Sequence, residues 1–275
     1  MNGTTPTTQD TPDKGRLQIN LVSDISAYPI QGAQISIFYT GIPEAQLEQL
    51  TTDSSGQTDT IDLAAPPLEY SLNPENEVQP YSEYTMQITA EGFESVSIAG
   101  AEILADVTAI QNVSMKPIDT PEDEIQPTFE SGEIVLSRVV VPEYIVVHDG
   151  SPRDSTAKNY YVKYKDYIKN VASSEIYATW PEDTIRANVL AIMSFTLNRV
   201  YTEFYRNRGY DFTITSSTAF DHKWIPERNI YDTISVIVDE LFADYLSRPN
   251  VKQPILTQYC DGRQVQCPNW MTFLL

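Results

Sequence analysis

The sequence predicts an α+β protein of two domains: an N-terminal antiparallel β-sandwich, then a mixed α/β domain built around a buried central helix. Three observations predict it. Short apolar runs of period two, separated by Gly, Asp and Ser turns, fill residues 16–117 with no helical pattern among them. A proline-rich acidic stretch, PIDTPEDEIQP from Pro117 to Pro127, has the composition of an extended, self-repelling linker. Beyond it, apolar residues recur at helical spacing.

The expected boundaries are a Thr-, Pro- and Asp-rich disordered leader over 1–15, the sandwich over 16–117, the linker over 118–130 and the second domain over 131–275. In the sandwich, Leu17, Ile19 and Leu21 alternate with polar neighbours. Ala33, Ile35, Ile37 and Tyr39 do so after a Gly32 turn. The cluster Thr52-Asp53-Ser54-Ser55-Gly56-Gln57-Thr58 reads as a turn leading into Ile61 and Leu63. Tyr84, Met86, Ile88 and Ala90, then Val96, Ile98, Ile103 and the run from Val107 to Met115, complete the set.

In the second domain, Ile134–Leu136, Val139–Val141 and Ile145–Val147 are β segments. A helix follows from about Tyr164 to Ile176, with Tyr167, Ile168 and Val171 inward. The next helix starts at Pro181, which suits a first helical turn, with Glu182 and Asp183 where the helix dipole favours anions. Arg206, Arg208 and Gly209 mark its expected end. Its apolar residues occupy more than one face, which predicts burial all round. A strand over 211–218, a polar loop from Ser216 to His222 and an amphipathic helix over 230–246 complete the reading.

Length and charge bound the function. The 275 residues carry a net charge of −20. Of 38 acidic residues, 21 precede Ser131, against 3 basic ones. So acidic a half repels nucleic acid and anionic membranes, and neither is an expected partner. No apolar run is long enough for a transmembrane helix, and MNGTTPTTQDTPDKG lacks the basic and apolar parts of a secretory signal. No phosphate-binding glycine loop, nucleophile elbow or HExxH motif occurs.

The candidate chemistry centres on Glu175, in the last turn of its helix and just ahead of Tyr177 and Trp180. The negative helix end and nearby rings are expected to make its carboxyl group harder to ionise, as a general acid requires.

The order Glu175-Ile-Tyr-Ala-Thr-Trp180-Pro181, followed by a helix, resembles the signature of the stage II sporulation protein D and amidase-enhancer family. Ile176-Tyr177 stands where that family carries Met-Pro, and Asp166–Val171 looks like its lead-in helix. The resemblance covers roughly Ile134 to Trp270. It implies a lytic transglycosylase acting on peptidoglycan glycan strands, with Glu175 as the catalytic acid and a cell-envelope or spore location. Tyr177, Trp180, Ser216, Ser217, His222 and Tyr259 are the expected substrate contacts, with Phe220 and Trp224 as further stacking candidates. In the family a Trp-Gly segment and a final Tyr-Tyr-Gly stretch follow the Cys-rich loop; here Asn269-Trp270-Met271-Thr272 is followed only by Phe273-Leu274-Leu275, and the resemblance implies a chain cut short. The alternatives are a wall-binding or amidase-activating module without turnover, or a spore or phage structural component.

No cofactor is expected for this chemistry. Cys260 and Cys267 close a short polar loop, and a disulfide there would stabilise it by roughly 2–3 kcal/mol. The other reading is a zinc site formed by His148, His222, Cys260 and Cys267. The runs Ile30–Ile37, Thr52–Thr58 and Tyr84–Phe93 are similar to prealbumin-like carboxypeptidase-regulatory domains, which implies a spacer or binding appendage. Oligomeric state is not legible.

Overall fold

The computed structural model describes residues 12–25, 27–118, 138–260 and 271–272, with only the backbone for 43–45, 259–260 and 271–272. The chain divides into two compact units, Met1–Met115 and Lys116–Leu275. The expected leader up to residue 11, the linker over 119–130, the strand at 134–136 and the loop over 261–270 lie outside the described residues.

The first unit begins with β1 (Asp13–Ser23), so three of the residues assigned to the leader, Asp13, Lys14 and Gly15, already belong to a strand. It continues with β2 (Gln34–Tyr39), β3 (Ile42–Thr51), β4 (Ile61–Ala65), a one-turn helix α1 (Glu69–Leu72), β5 (Tyr81–Thr89), β6 (Val96–Leu104) and β7 (Thr108–Met115). One sheet runs β3-β2-β5-β6 and is antiparallel throughout. In the other, β1 pairs antiparallel with β4 but parallel with β7, from Arg16 opposite Thr108 to Ser23 opposite Met115. Alternation places Leu17, Ile19 and Leu21, and likewise Ile35, Ile37, Tyr84, Met86 and Ile88, wholly inside. The Tyr84 hydroxyl donates to the Ala64 carbonyl at 2.7 Å, tying one sheet to the other.

Turn chemistry sets the close approaches. Asp53 Oδ1 accepts from the Ser55 N–H, the Ser55 hydroxyl and the Gln57 N–H, which holds its carboxyl below the usual range. Gly56 follows at φ +75°, and a Cβ there would lie 2.4 Å from the Leu21 carbonyl oxygen.

The second unit has a small sheet of β8 (Tyr144–His148), β9 (Asn159–Lys163) and β10 (Ile214–Thr215), ordered β10-β8-β9. Residues 139–141 are not a strand, and the strand expected over 211–218 shortens to β10. Three helices complete the unit: α2 (Tyr164–Glu175), α3 (Glu182–Tyr201) and α4 (Asp232–Leu241). From Ala191 to Val200 every residue of α3 is buried, as expected of a helix apolar on several faces.

The helix ends differ from the sequence expectation. α3 stops at Tyr201, eight residues before Gly209. The Thr202 N–H and hydroxyl both return to the Asn198 carbonyl, and Glu203 takes a positive φ. Arg206–Arg208 form a separate 3-10 turn closed by Gly209 at φ +84°. α4 ends at Leu241, short of the expected 246, and Phe242 is exposed beneath the Lys165 ammonium.

Candidate functional site

Glu175 is the last residue of α2, whose apolar side buries Tyr167, Ile168 and Val171. The polar residues of the same helix dock the segment 222–231. Asn170 donates to the Ile225 carbonyl at 2.8 Å and accepts the Ile225 N–H at 3.1 Å. This two-point clamp imitates a strand pairing. One turn on, Arg228 donates to the Ser173 carbonyl and the Tyr231 N–H reaches the Ser173 hydroxyl. These bonds bring the Lys223 N–H within 2.6 Å of Glu175 Oε1. Glu175 itself is half-buried.

Behind Lys223 the loop is anchored by a buried ionic cluster. Arg199 on α3 donates through Nε to Asp221 Oδ1 at 2.8 Å, with the two side chains 7% and 0% exposed. Asp221 Oδ2 accepts from the Tyr205 hydroxyl and from both the N–H and hydroxyl of Thr215. A buried pair is tolerable only when its remaining hydrogen-bonding capacity is used in this way. The Arg199 guanidinium also lies 3.8 Å from the centre of the Phe204 ring. His222 is 1% exposed, with Nδ1 3.0 Å from the Tyr167 hydroxyl. Burial, then the Arg199 charge, lowers its pKa to about 3. Burial, then Asp221 and Glu175, pushes the Tyr167 phenol well up.

The predicted site residues meet different fates. Tyr177 and Trp180 meet edge to face at 5.7 Å, following Glu175 in the chain. His222 adjoins Lys223 in the docked segment and lies beneath the surface, its Nδ1 facing the Tyr167 hydroxyl. The Ser216 hydroxyl is turned to Asp149 Oδ1 at 2.8 Å, while the Ser217 carbonyl accepts the Phe220 and Asp221 N–H groups. Trp224 is buried against Tyr160, whereas Phe220 is exposed. The side chain of Tyr259 lies outside the described residues.

The two histidines of the zinc reading have other contacts among the described residues. His148 stacks on Phe212 at 4.4 Å, and its ring nitrogens face Asn159 Oδ1 at 2.8 Å and the Ser151 carbonyl at 3.1 Å. His222 faces Tyr167, so the two rings serve separate networks. Among the described residues no three His, Cys, Asp or Glu side chains converge as a metal site. The cysteine pairing falls outside the described residues.

Sequence reading missed the Arg199–Asp221 anchor. Its signal is an arginine inside the apolar and small-polar second half of α3, a position that demands a buried acid partner. Two concavities lie elsewhere on this unit. One, of about 380 Å³, includes Trp180 and lies between α3 and α4, and the other, of about 240 Å³, lies beside Asn198 and Pro254. Glu175 lines neither.

No family model matches the chain, and no curated protein does. Solved structures offer distant likenesses. A 5-hydroxyisourate hydrolase of Klebsiella pneumoniae is 14% identical over 37% of this chain and 90% of its own, with a TM-score of 0.24. A 3-chlorocatechol 1,2-dioxygenase of Rhodococcus opacus is 10% identical over 41% of this chain and 63% of its own, at 0.29. The minor pilin GBS52 of Streptococcus agalactiae is 15% identical over 42% of this chain and 49% of its own, at 0.27. The chain thus spans under two thirds of the dioxygenase and about half of the pilin. Scores and identities this low carry no argument about function.

Proposed function

We propose that the chain cleaves peptidoglycan glycan strands as a lytic transglycosylase, with Glu175 as the proton carrier. The observation that carries the reading is the placement of Glu175. It is a half-buried carboxylate at a helix end, with one oxygen oriented by the Lys223 N–H at 2.6 Å and the docked loop behind it anchored by buried ionic and aromatic contacts. Preorganisation of this kind is what a single acid–base group requires.

The chemistry balances on one carboxyl group. Glu175 donates its proton to the glycosidic oxygen as the bond from that oxygen to the muramoyl C1 breaks. The resulting carboxylate takes the proton of the same sugar's 6-hydroxyl as that oxygen bonds to C1. The product is a 1,6-anhydro ring, the acid is regenerated, and no water is consumed. A second carboxylate, which hydrolases need to activate water or to attack the sugar, has no role here.

Purified glycan strands test this, with products read by mass spectrometry. Glu175→Gln should lower the yield of anhydro-ended fragments by about 10²- to 10⁴-fold while strand binding persists. Equal yields from both chains remove Glu175 from the mechanism. Binding with no products from either chain leaves a wall-binding or amidase-activating module.

A further inference from the structure

The concavity of about 380 Å³ between α3 and α4 falls within the range of small-molecule sites, and its chemistry is selective. Its floor is apolar: Ala178, Ile185 and Ile237 are each under 5% exposed. The Trp180 ring joins that lining, and Val236, 57% exposed, stands at the rim. Three carboxylates, Glu182, Asp232 and Glu240, share the lining with a single cation, Arg186.

That cation is already engaged. Arg186 Nε donates to Glu182 Oε1 at 2.9 Å, and its Nη2 bonds Glu240. Asp232 is left without an ion-pair partner among the described residues, although its Oδ1 accepts the Thr233 N–H at 2.7 Å. The lining therefore pairs an apolar, aromatic floor with an excess of negative charge.

We propose that this pocket takes an alkylammonium side chain, the free amine end of the diamino acid in a wall peptide stem. Methylenes would lie along Ile185, Ile237 and the Trp180 ring, with the ammonium at Asp232, whose charge favours a cation. An anion or a neutral apolar chain would leave the Asp232 charge unanswered. Tyr177, two residues from Glu175 in the chain, packs edge-on to Trp180 at 5.7 Å. Assigning the amine to a peptide stem rests on the function proposed above; the preference for an alkylammonium group rests on the pocket alone.

The Glu175→Gln chain, in which strand cleavage should be reduced, is titrated with the tripeptide L-Ala-γ-D-Glu-L-Lys. The same tripeptide with its side-chain amine acetylated, and its norleucine counterpart, serve as comparisons. Tryptophan emission is the readout, and a Trp180→Phe version assigns the signal among the three tryptophans. The free-amine peptide should give a saturable change that disappears in Trp180→Phe. Acetylation, norleucine or Asp232→Asn should each weaken binding about tenfold or more. Equal binding of the acetylated peptide, indifference to Asp232→Asn, or no saturable change overturns the proposal. Because the readout is binding, stem recognition without strand cleavage would uphold the pocket while removing the acid, and the reverse result would do the opposite.

Discussion

His222 shows what burial does to one titratable ring in this protein. It is packed beside Phe195 and Tyr167, and desolvation, with Arg199 nearby, brings its pKa to about 3, against 6.5 when free. Between those values the unfolded chain binds a proton that the native chain refuses, so stability rises with pH. The contribution is complete above pH 6.5 and is lost as pH falls toward 3. From pH 6.5 to about 4.5 the loss attributable to this ring should be roughly 2–3 kcal/mol. Urea unfolding across that range, for the native chain and His222→Gln, measures it. The substituted chain should lack that part of the slope, and parallel pH profiles would mean the ring is not desolvated. Glu175 is a different kind of residue, legible from the sequence because its neighbours Trp180 and Pro181 mark a helix exit and a helix entry. Its hydrogen-bond partner was not legible, since Lys223 is 48 residues away and its N–H carries no side-chain signature.

At the scale of elements, α3 explains its own composition. A helix buried on every side should be apolar, yet Ser194, Thr196 and Asn198 interrupt it. Two of them serve the segment that follows α4. The Leu246 N–H donates to the Ser194 hydroxyl at 2.8 Å, and Asn198 donates to the Pro254 carbonyl at 2.7 Å. Thr257 adds a bond to the Ala191 carbonyl of the same helix. Asn198→Ala leaves the Pro254 carbonyl without this donor and should lower stability by about 1–3 kcal/mol. Limited proteolysis should then cut within 246–257 faster than in the native chain, and an unchanged cleavage rate would count against this docking. The helix was readable from its 3.6-residue period, but its end was not. Arg206, Arg208 and Gly209 do form a helical stop, yet it closes a separate short turn, because the Thr202 hydroxyl and the positive φ of Glu203 end α3 earlier.

Over the whole molecule the charge is lopsided, with 21 acidic residues before Ser131 and only 3 basic ones to offset them. Like charges repel, and salt screens that repulsion within about 10 Å at about 0.1 M. Raising sodium chloride from about 10 to about 150 mM should therefore raise the thermal midpoint of the chain. Calorimetry checks the sign, and a falling midpoint would show that attractive pairs outweigh the repulsion.

The α+β class, the inward residues of β1 and the burial of α3 were determined by the sequence itself, because the periods of 2 and 3.6 write side-chain direction directly into residue order. Tertiary structure alone decided the parallel pairing of β1 with β7, the Arg199–Asp221 anchor and the seating of Lys223 on Glu175. Each joins positions far apart in the chain. Such pairings are selected by which packing leaves no buried charge or N–H unanswered, and local pattern holds no record of that choice.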